Sequence, residues 1–326
     1  MTDFTILVLP GAYATSVAAT LDILRAASVV APRTKFARPT WRVLSPSGGS
    51  VPLSGGLHVD TAALPKRPRP DAATWIIPGL GVDDADALAA RLANADAQQA
   101  IRAVAAHAAR NGRVAASCSA VFLLQAAGLL PGRRVTTSWW LAPELRRLEP
   151  RCIVDADRMV CADGALSTGG AAFAQIDLML HLLRVQFGVA LADAVGRVLL
   201  IDARHAQANF VVPTMLSNGN ELVARLVTRI ESSLPNPPSV EALADELAMS
   251  PRTLSRHVRS ATGRSTMALV QSVRLNRARM LIGSSRMSIE SVAEQVGYSD
   301  STALRRLMRK VAGSNPSRYR TAGLTP

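Results

Sequence analysis

The feature that most restricts this chain is a repeat of about 50 residues close to its C-terminal end. The copies are SVEALADELAMSPRTLSRHVRSATG, Ser239 to Gly263, and SIESVAEQVGYSDSTALRRLMRKVAG, Ser288 to Gly313. Ser239 matches Ser288, Glu241 matches Glu290, Ala244 matches Ala293 and Ser250 matches Ser299; then, after one extra residue in the second copy, Leu254 matches Leu304, Arg256 matches Arg306 and Gly263 matches Gly313. In the second copy Ser288 is placed to cap a short helix carrying Ile289, Val292, Ala293 and Val296 at helical spacing, and Gly297 ends it. A tight GYSD turn follows, then a helix with Leu304, Leu307, Met308 and Val311 on one face and Arg305, Arg306, Arg309 and Lys310 on the other. A short buried helix, a tight turn and a longer basic helix make up a helix-turn-helix, whose second helix can lie in a DNA major groove.

Between the copies, Thr266 to Ile282 predicts one continuous helix, with Leu269, Val273, Ala278, Leu281 and Ile282 available for burial. At ~1.5 Å per residue it spans about 25 Å, enough to hold two reading helices near the ~34 Å spacing of successive major-groove turns. Charge agrees with that use. The chain has a net charge of +13, and residues 222 to 326 carry 16 Lys and Arg against 7 Asp and Glu. A basic excess is what phosphate neutralisation requires.

The same stretch resembles the AraC/XylS family of transcription regulators. The resemblance rests on SPRTLSRHVRSATG, on the LNRARMLI linker helix and above all on VAEQVGYSDSTALRRLMRKVAGSNPSRYR. Leu304 and Met308 stand where the family often has aromatic residues. On the first reading helix, Leu254 and Val258 face inward and Arg252, Thr253, Ser255, Arg256 and His257 face out. The resemblance places Arg252, Ser255 and Arg256 at base-reading positions, and Ser301, Thr302, Arg305 and Arg306 take those places in the second helix. Arg309 and Lys310 are expected on phosphate. An Arg such as Arg256 can take guanine O6 and N7 together.

Upstream the pattern changes. FTILVLP (4–10), ATWIIPG (73–79) and GRVAAS (112–117) are apolar runs of strand length, each leading toward a helical segment. Ser16 is placed to cap a first helix through Leu24 and Ala27; residues 84–110 read as one long Ala-rich helix; GRRVTTS (132–138) reads as a further strand. TWRVLSP, SVPLSG and GLHVD read as short strands, and ALSTGG leads into a long helix over 171–187. CIVDADRMVC (152–161) reads as a hairpin turning at Ala156-Asp157 that would set Cys152 opposite Cys161; two separate thiols are favoured over a disulfide. Alternating strands and helices predict an α/β domain with a doubly wound, flavodoxin-like parallel sheet, followed by an all-α domain with the two helix-turn-helix motifs. PKRPRPD (65–71) reads as a solvated turn. ELVARLVTRIESSL and then PNPPS mark the join, giving domains 1–210 and 239–326 with a connecting helix and linker over 211–238. Three Cys without a framework of pairs suit a reducing cytoplasm. The apolar start, broken by Pro10 and Gly11, predicts neither a signal peptide nor a membrane span.

The chemical centre of the first domain is VAASCSAVFLLQAAGLL. It places Cys118 at a sharp strand-to-helix turn on the carboxyl edge of the sheet, where the helix N-terminus is expected to lower the thiol pKa. Such an elbow serves thiolate catalysis or cradles the carboxylate or carbonyl of a ligand. This region resembles the ThiJ/PfpI domain, a glutamine-amidotransferase-like fold, through ILVLPG, LDIL, ASCSAVFLLQAAGLLPGRRVTTSWW and DGALSTGGAAFAQIDLMLHLL. The order of the two domains, and the exit segment RHAQANF (204–210), are similar to the GlxA-like group of regulators. Asp22 in LDIL matches the acidic position that the family sets near its elbow Cys. Ser119 and Ser138 stand where the family often has His, so no base for a cysteine hydrolase is evident. The resemblance therefore implies a regulator rather than an enzyme: an activator of a catabolic operon that binds operator DNA and RNA polymerase, dimerises, and holds a small effector at Asp22, Cys118, Ser119 and Ser138. No metal or cofactor is expected. The rival expectation is a cysteine-dependent amidase or hydrolase tethered to DNA.

Overall fold

FTIL, TWII, VAAS and LSTG are buried at every residue, so each must be covered on both faces. In the computed structural model, which describes residues 2–34, 36–65, 72–201, 207 and 220–312, they form the centre of an eight-stranded sheet. Its strands are β1 (Phe4–Leu7), β2 (Trp41–Ser45), β3 (Gly49–Pro52), β4 (His58–Ala63), β5 (Thr74–Ile77), β6 (Val114–Ser117), β9 (Val160–Asp163) and β10 (Leu166–Gly169). β7 (Arg134–Val135) and β8 (Ile153–Val154) pair separately. The order is β3-β4-β2-β1-β5-β6-β10-β9, parallel from β4 to β10, with an antiparallel strand at each edge.

The first-unit helices are α1 (Ala14–Val30), α2 (Ala85–Ala93), α3 (Ala95–Ala108), α4 (Val121–Ala126), α5 (Ala142–Leu148), α6 (Ala174–Phe187) and α7 (Val189–Val198). Alternate strand residues go to opposite faces. Trp75, Ile77, Val114 and Ala116 pack with Ile101, Val104, Phe122 and Leu123 from α3 and α4. Phe4, Ile6, Ile76 and Ala115 pack with Ile23, Leu24, Leu178, Leu183 and Leu191 from α1, α6 and α7. The sheet is doubly wound. The stretch Ala14–Arg33 is long and apolar enough to cross a membrane, yet half of it is buried in this core.

Several local expectations need correction. Ser16 is not a cap: α1 starts at Ala14, and Ser16 Oγ lies inside its first turn, donating to the Ala172 carbonyl at 3.0 Å. The Ala-rich helix is two helices, because Asn94 takes ψ 148° and serves as the end of α2 and the start of α3. Cys152 and Cys161 are not on a hairpin. β8, after Cys152, pairs in parallel with β7, whereas Cys161 pairs across β9–β10 with Thr168. Both are free and buried, and burial pushes each thiol up to about 11. ALSTGG is itself the strand β10.

The chain divides into two compact units, residues 1–205 and 206–326. The second is helical: α8 (Glu221–Ser232), α9 (Val240–Glu246), α10 (Pro251–Thr262), α11 (Thr266–Ser284), α12 (Ile289–Gln295) and α13 (Ser301–Ala312). Asn220 caps α8, whose Val223, Leu226, Val227 and Ile230 are buried and which packs on α11. PKRPRPD from Lys66 on, RHAQANF apart from Gln207, and the closing residues 313–326, with Gly313 and NPSRYR, lie outside the described residues.

Candidate functional site

Local capping builds the two reading motifs. In the first, Ser239 accepts from the Ala242 amide at 3.1 Å and starts α9, which buries Leu243 and Ala244. Leu247 ends it, Ala248 takes a left-handed φ of 52°, and the Met249 amide returns to the Ala244 carbonyl at 3.0 Å. Ser250 then caps α10 by accepting from the Thr253 amide at 3.1 Å, with Pro251 in the first turn, where its missing N–H costs nothing. Gly263 closes α10 at φ 69°, and Ser265 caps α11.

The second motif repeats each step. Ser288 accepts from the Ser291 amide at 3.0 Å, Gly297 takes φ 81°, and the Tyr298 amide returns to the Ala293 carbonyl at 2.9 Å. The cap of α13 is Asp300, whose carboxylate accepts from the Ala303 amide at 2.8 Å. This corrects the match of Ser250 to Ser299. The extra residue falls within the turn, so the structural counterpart of Ser250 is Asp300. The carboxyl of Asp300 is held below its usual range, first by the Ala303 amide.

On α10, Leu254 and Val258 are buried; Arg252, Arg256, His257 and Arg259 are exposed; Thr253 and Ser255 are half-buried. Thr253 Oγ1 lies 2.9 Å from Ser250 Oγ. On α13, Leu304 and Met308 are buried, Thr302, Arg305, Arg306 and Arg309 are exposed, and Ser301 is half-buried. The Lys310 side chain lies outside the described residues. Arg305 donates to Glu290 at 3.2 Å in an exposed ion pair. Between the motifs, the 19 residues of α11 extend about 28 Å.

The cysteine elbow has a different character. Cys118 follows the end of β6 and takes φ 56°, a conformation that costs an L-residue about 1–2 kcal/mol and persists only where the surroundings impose it. Those surroundings are its own bonds: the Cys118 amide donates to the Gly170 carbonyl at 2.6 Å, Thr137 Oγ1 donates to the Cys118 carbonyl at 2.8 Å, and Sγ lies 3.0 Å from Ser138 Oγ. Ser119 Oγ accepts from the Leu80 amide at 3.1 Å. Gly79 packs tightly here: a Cβ at that position would come 3.0 Å from the Cys118 Cβ and 3.5 Å from the Tyr13 ring, so the elbow would have to give by a few tenths of an ångström.

Cys118, Ser119, Thr137 and Ser138 are all at 0% exposure. Burial pushes the Cys118 thiol up, outweighing the hydrogen bonds from Ser138 and Ser119, and the charge of Asp83 adds to the rise. The Ser119 amide at the helix start does lower this pKa, but desolvation outweighs it. Asp22 is not brought to the elbow. It is exposed on α1, two residues and so about 200° of helix turn from Thr20, which is on the buried face. The nearby groups that the sequence reading missed are Tyr13, Gly79 and Asp83, at the carboxyl ends of β1 and β5 beside β6. Strand order was the missing signal. Burial raises the Tyr13 hydroxyl, with Cys118 and Asp83 adding to it. Trp140 Nε1 donates to the Asp83 carbonyl at 3.0 Å, tying two loops together close to the elbow.

Among the described residues no His bonds to the thiol. His107 stacks on Trp75 at 4.7 Å and meets the Arg113 carbonyl, and His181 is half-buried on α6. Among the described residues no three His, Cys, Asp or Glu side chains are grouped to hold a metal.

Comparison with known proteins divides the chain along the same lines. Residues 29–185 match the DJ-1/PfpI family and residues 243–322 match a helix-turn-helix domain family of AraC type. The chain is 28% identical over 310 residues to the HTH-type transcriptional regulator GlxA of Rhizobium meliloti (strain 1021), covering 92% of this chain and 90% of that one. It is 25% identical over 305 residues to the HTH-type transcriptional regulator GbdR of Pseudomonas aeruginosa (strain UCBPP-PA14), covering 92% and 79%. A ThiJ/PfpI family protein from Pseudomonas syringae shares the fold, with a TM-score of 0.50 at 18% identity over 83% of this chain and 91% of that chain.

Proposed function

The chain joins a DJ-1/PfpI domain to an AraC-type helix-turn-helix domain, the make-up of a DNA-binding transcription regulator, and on that premise we propose that it is an effector-responsive activator of a catabolic operon. It works in the cytoplasm as a homodimer that contacts RNA polymerase. Residues 1–210 sense and dimerise, 211–238 connect, and 239–326 read DNA, with α8 counted in the reading unit because it packs on α11.

The observation that carries this reading is the pair of capped motifs on one rigid 19-residue helix, each with an exposed Arg at the same step, Arg256 and Arg306. Arg252, Thr253, Ser255 and Arg256 read one major-groove turn; Ser301, Thr302, Arg305 and Arg306 read the next; Arg309 and Lys310 meet phosphate. Selection of bound fragments from the source genome, followed by footprinting across a salt series, tests it. Protection over adjacent major-groove turns upstream of an operon is the expected result. Uniform binding to any sequence, with steep salt dependence alone, would reduce the tandem motifs to a generic DNA anchor.

For the effector we propose the elbow at Cys118, Ser119 and Ser138, joined by Tyr13 and Asp83 in place of Asp22. A small nitrogen-containing or carboxylate-bearing compound suits an acid facing a helix start. Entry requires the loops after β1, β5 and β7 to part. The raised thiol pKa, and the lack among the described residues of a base bonded to Cys118, support sensing over hydrolysis. Cys118→Ser is expected to change the ligand response and leave operator affinity intact; a hydrolase turnover lost in that variant would instead establish the enzyme reading.

A further inference from the structure

The turn of the second motif is held by a residue outside the motif. Arg274, half-buried on α11, donates from Nε to the Val296 carbonyl at 2.7 Å and from a terminal nitrogen to the Gly297 carbonyl. Its guanidinium lies 3.7 Å from the centroid of the Tyr298 ring. The Tyr298 hydroxyl is buried without a hydrogen-bond partner and burial raises its pKa, so the ring is placed by stacking rather than by its polar end. On a further side, a Cβ at Gly297 would run into the Pro235 carbonyl oxygen. The last carbonyls of a helix have no partner within it, and a planar cation that bonds two of them satisfies them and opposes the helix dipole together. The first motif has no such hold: among the described residues, no side chain donates to the carbonyls of Leu247 or Ala248.

We propose that Arg274 is a positioning residue for sequence reading by α13. Its role runs through the turn, since Nε and one terminal nitrogen are committed to the Val296 and Gly297 carbonyls. Val296 and Gly297 are the hinge between α12 and α13, and Ser301 begins α13 just past Tyr298. Clamping that hinge against α11 fixes the angle at which Thr302, Arg305 and Arg306 are presented. Without the clamp, α13 stays packed through Leu304 and Met308 but its polar side chains reach the base edges over a spread of angles, and geometric readout of bases degrades before phosphate contact does. This rests on the reading of α13 as a DNA-recognition helix.

The test uses the full chain and three versions of a selected operator fragment: intact, with the α10 half-site scrambled, and with the α13 half-site scrambled. Wild type is expected to lose affinity on either scrambled fragment. Arg274→Met is expected to lose its discrimination at the α13 half-site by about tenfold, while its discrimination at the α10 half-site stays at the wild-type level and so reports a folded reading unit. Arg274→Lys keeps the charge but reaches one carbonyl, and falls between the two. Tyr298→Phe keeps the stacked ring and should read as wild type. Selection on a randomised α13 half-site should give a flattened base preference for Arg274→Met. Equal weakening at both half-sites, or an unchanged preference at the α13 half-site, overturns the proposal. A wild-type chain indifferent to scrambling of the α13 half-site overturns the DNA reading of α13 itself, and the proposal with it.

Discussion

The two reading motifs are alike in backbone and unlike in what they carry. Leu247 and Val296 end their first helices at φ −102°, ψ 10° and φ −106°, ψ 10°, and Ala248 and Gly297 follow in left-handed conformations. The apolar positions repeat as Leu254 with Leu304 and Val258 with Met308, and the exposed Arg repeats as Arg256 with Arg306 and Arg259 with Arg309. The rest of the outer face does not repeat: Arg252 faces Thr302 in the alignment, Ser255 faces Arg305, and His257 faces Leu307. What is duplicated is the scaffold that aims a helix. If both faces read bases as proposed, two unlike half-sites are expected, and an operator that is not a simple repeat of one word.

The turns share this backbone path but differ in the residue that takes the left-handed step, and breaking them should have the largest effect. Gly297→Ala adds a Cβ at φ 81° against the Pro235 carbonyl, and a loss of about 2–4 kcal/mol is expected from backbone strain and the clash. The reverse change in the first turn, Ala248→Gly, relieves a left-handed Ala but frees the unfolded chain, and should stabilise by about 0.5 kcal/mol. All four Trp fall between residues 41 and 140, so urea unfolding read by Trp fluorescence should stay unchanged while the helix signal in far-UV circular dichroism shifts. A Trp transition that moves with Gly297→Ala would show that the two units do not unfold separately.

The repeated Arg comes next. Arg256→Ala and Arg306→Ala should each cost about 1–3 kcal/mol at the cognate operator and relax base choice at their own half-site only. The double variant should be near the sum of the two, because independent sites far apart add. Competition binding against fragments with single base changes measures both. If Arg306→Ala weakens every sequence alike, that side chain neutralises phosphate and the likeness of the two faces is electrostatic only.

How much of this the sequence disclosed follows from range. The cap at Ser288, its match at Ser239 and the buried stripe of α10 were legible, since a cap and a helix period are set within four residues. Ser250 was matched to Ser299 and Asp300 was passed over because residue type favoured a Ser, whereas turn length decides which side chain reaches the helix start. Asn94 was missed because an Ala-rich window has no breaker strong enough to announce a bend. β10 was missed because its neighbours β6 and β9 supply its hydrogen bonds, and LSTG is a poor strand by itself. Asp22 and the charge state of Cys118 failed for one reason. Solvent exposure is a property of the packed core, and the elbow is enclosed by loops from β1, β5 and β7 that are far apart in sequence.

The caps give a smaller and more selective contrast. Ser250→Ala should destabilise by about 1 kcal/mol at any pH, because a hydroxyl cap does not titrate. Asp300 is a carboxylate whose pKa is depressed in the fold, so its cap is fully present above the unfolded value near 4 and is lost as pH falls through the lower folded value. In an acid titration of stability, wild type should therefore lose its advantage over Asp300→Asn and converge on it below about pH 4, with Ser250→Ala running parallel to wild type. Parallel curves for all three would mean that the Asp300 cap is too solvated to matter.

The smallest effect sharpens the comparison at one atom. Glu290 and Glu241 occupy the same step of α12 and α9, but only Glu290 faces an Arg, because Arg305 replaces Ser255. The Glu290 carboxyl is held below its usual range first by the backbone N–H at the helix start, with Ser301 and Arg305 adding to it. Glu290→Gln keeps the helix start and releases Arg305 from the ion pair, so DNA affinity should rise modestly at low salt and converge on wild type as salt screens the charge. Glu241→Gln has no Arg to release and should rise less. Equal gains in the two variants would trace the effect to net charge and leave Arg305 no reading role that Glu290 restrains; a gain confined to Glu290→Gln, and sensitive to the base opposite Arg305, would make this ion pair a tuning element of the second reader that the first one lacks.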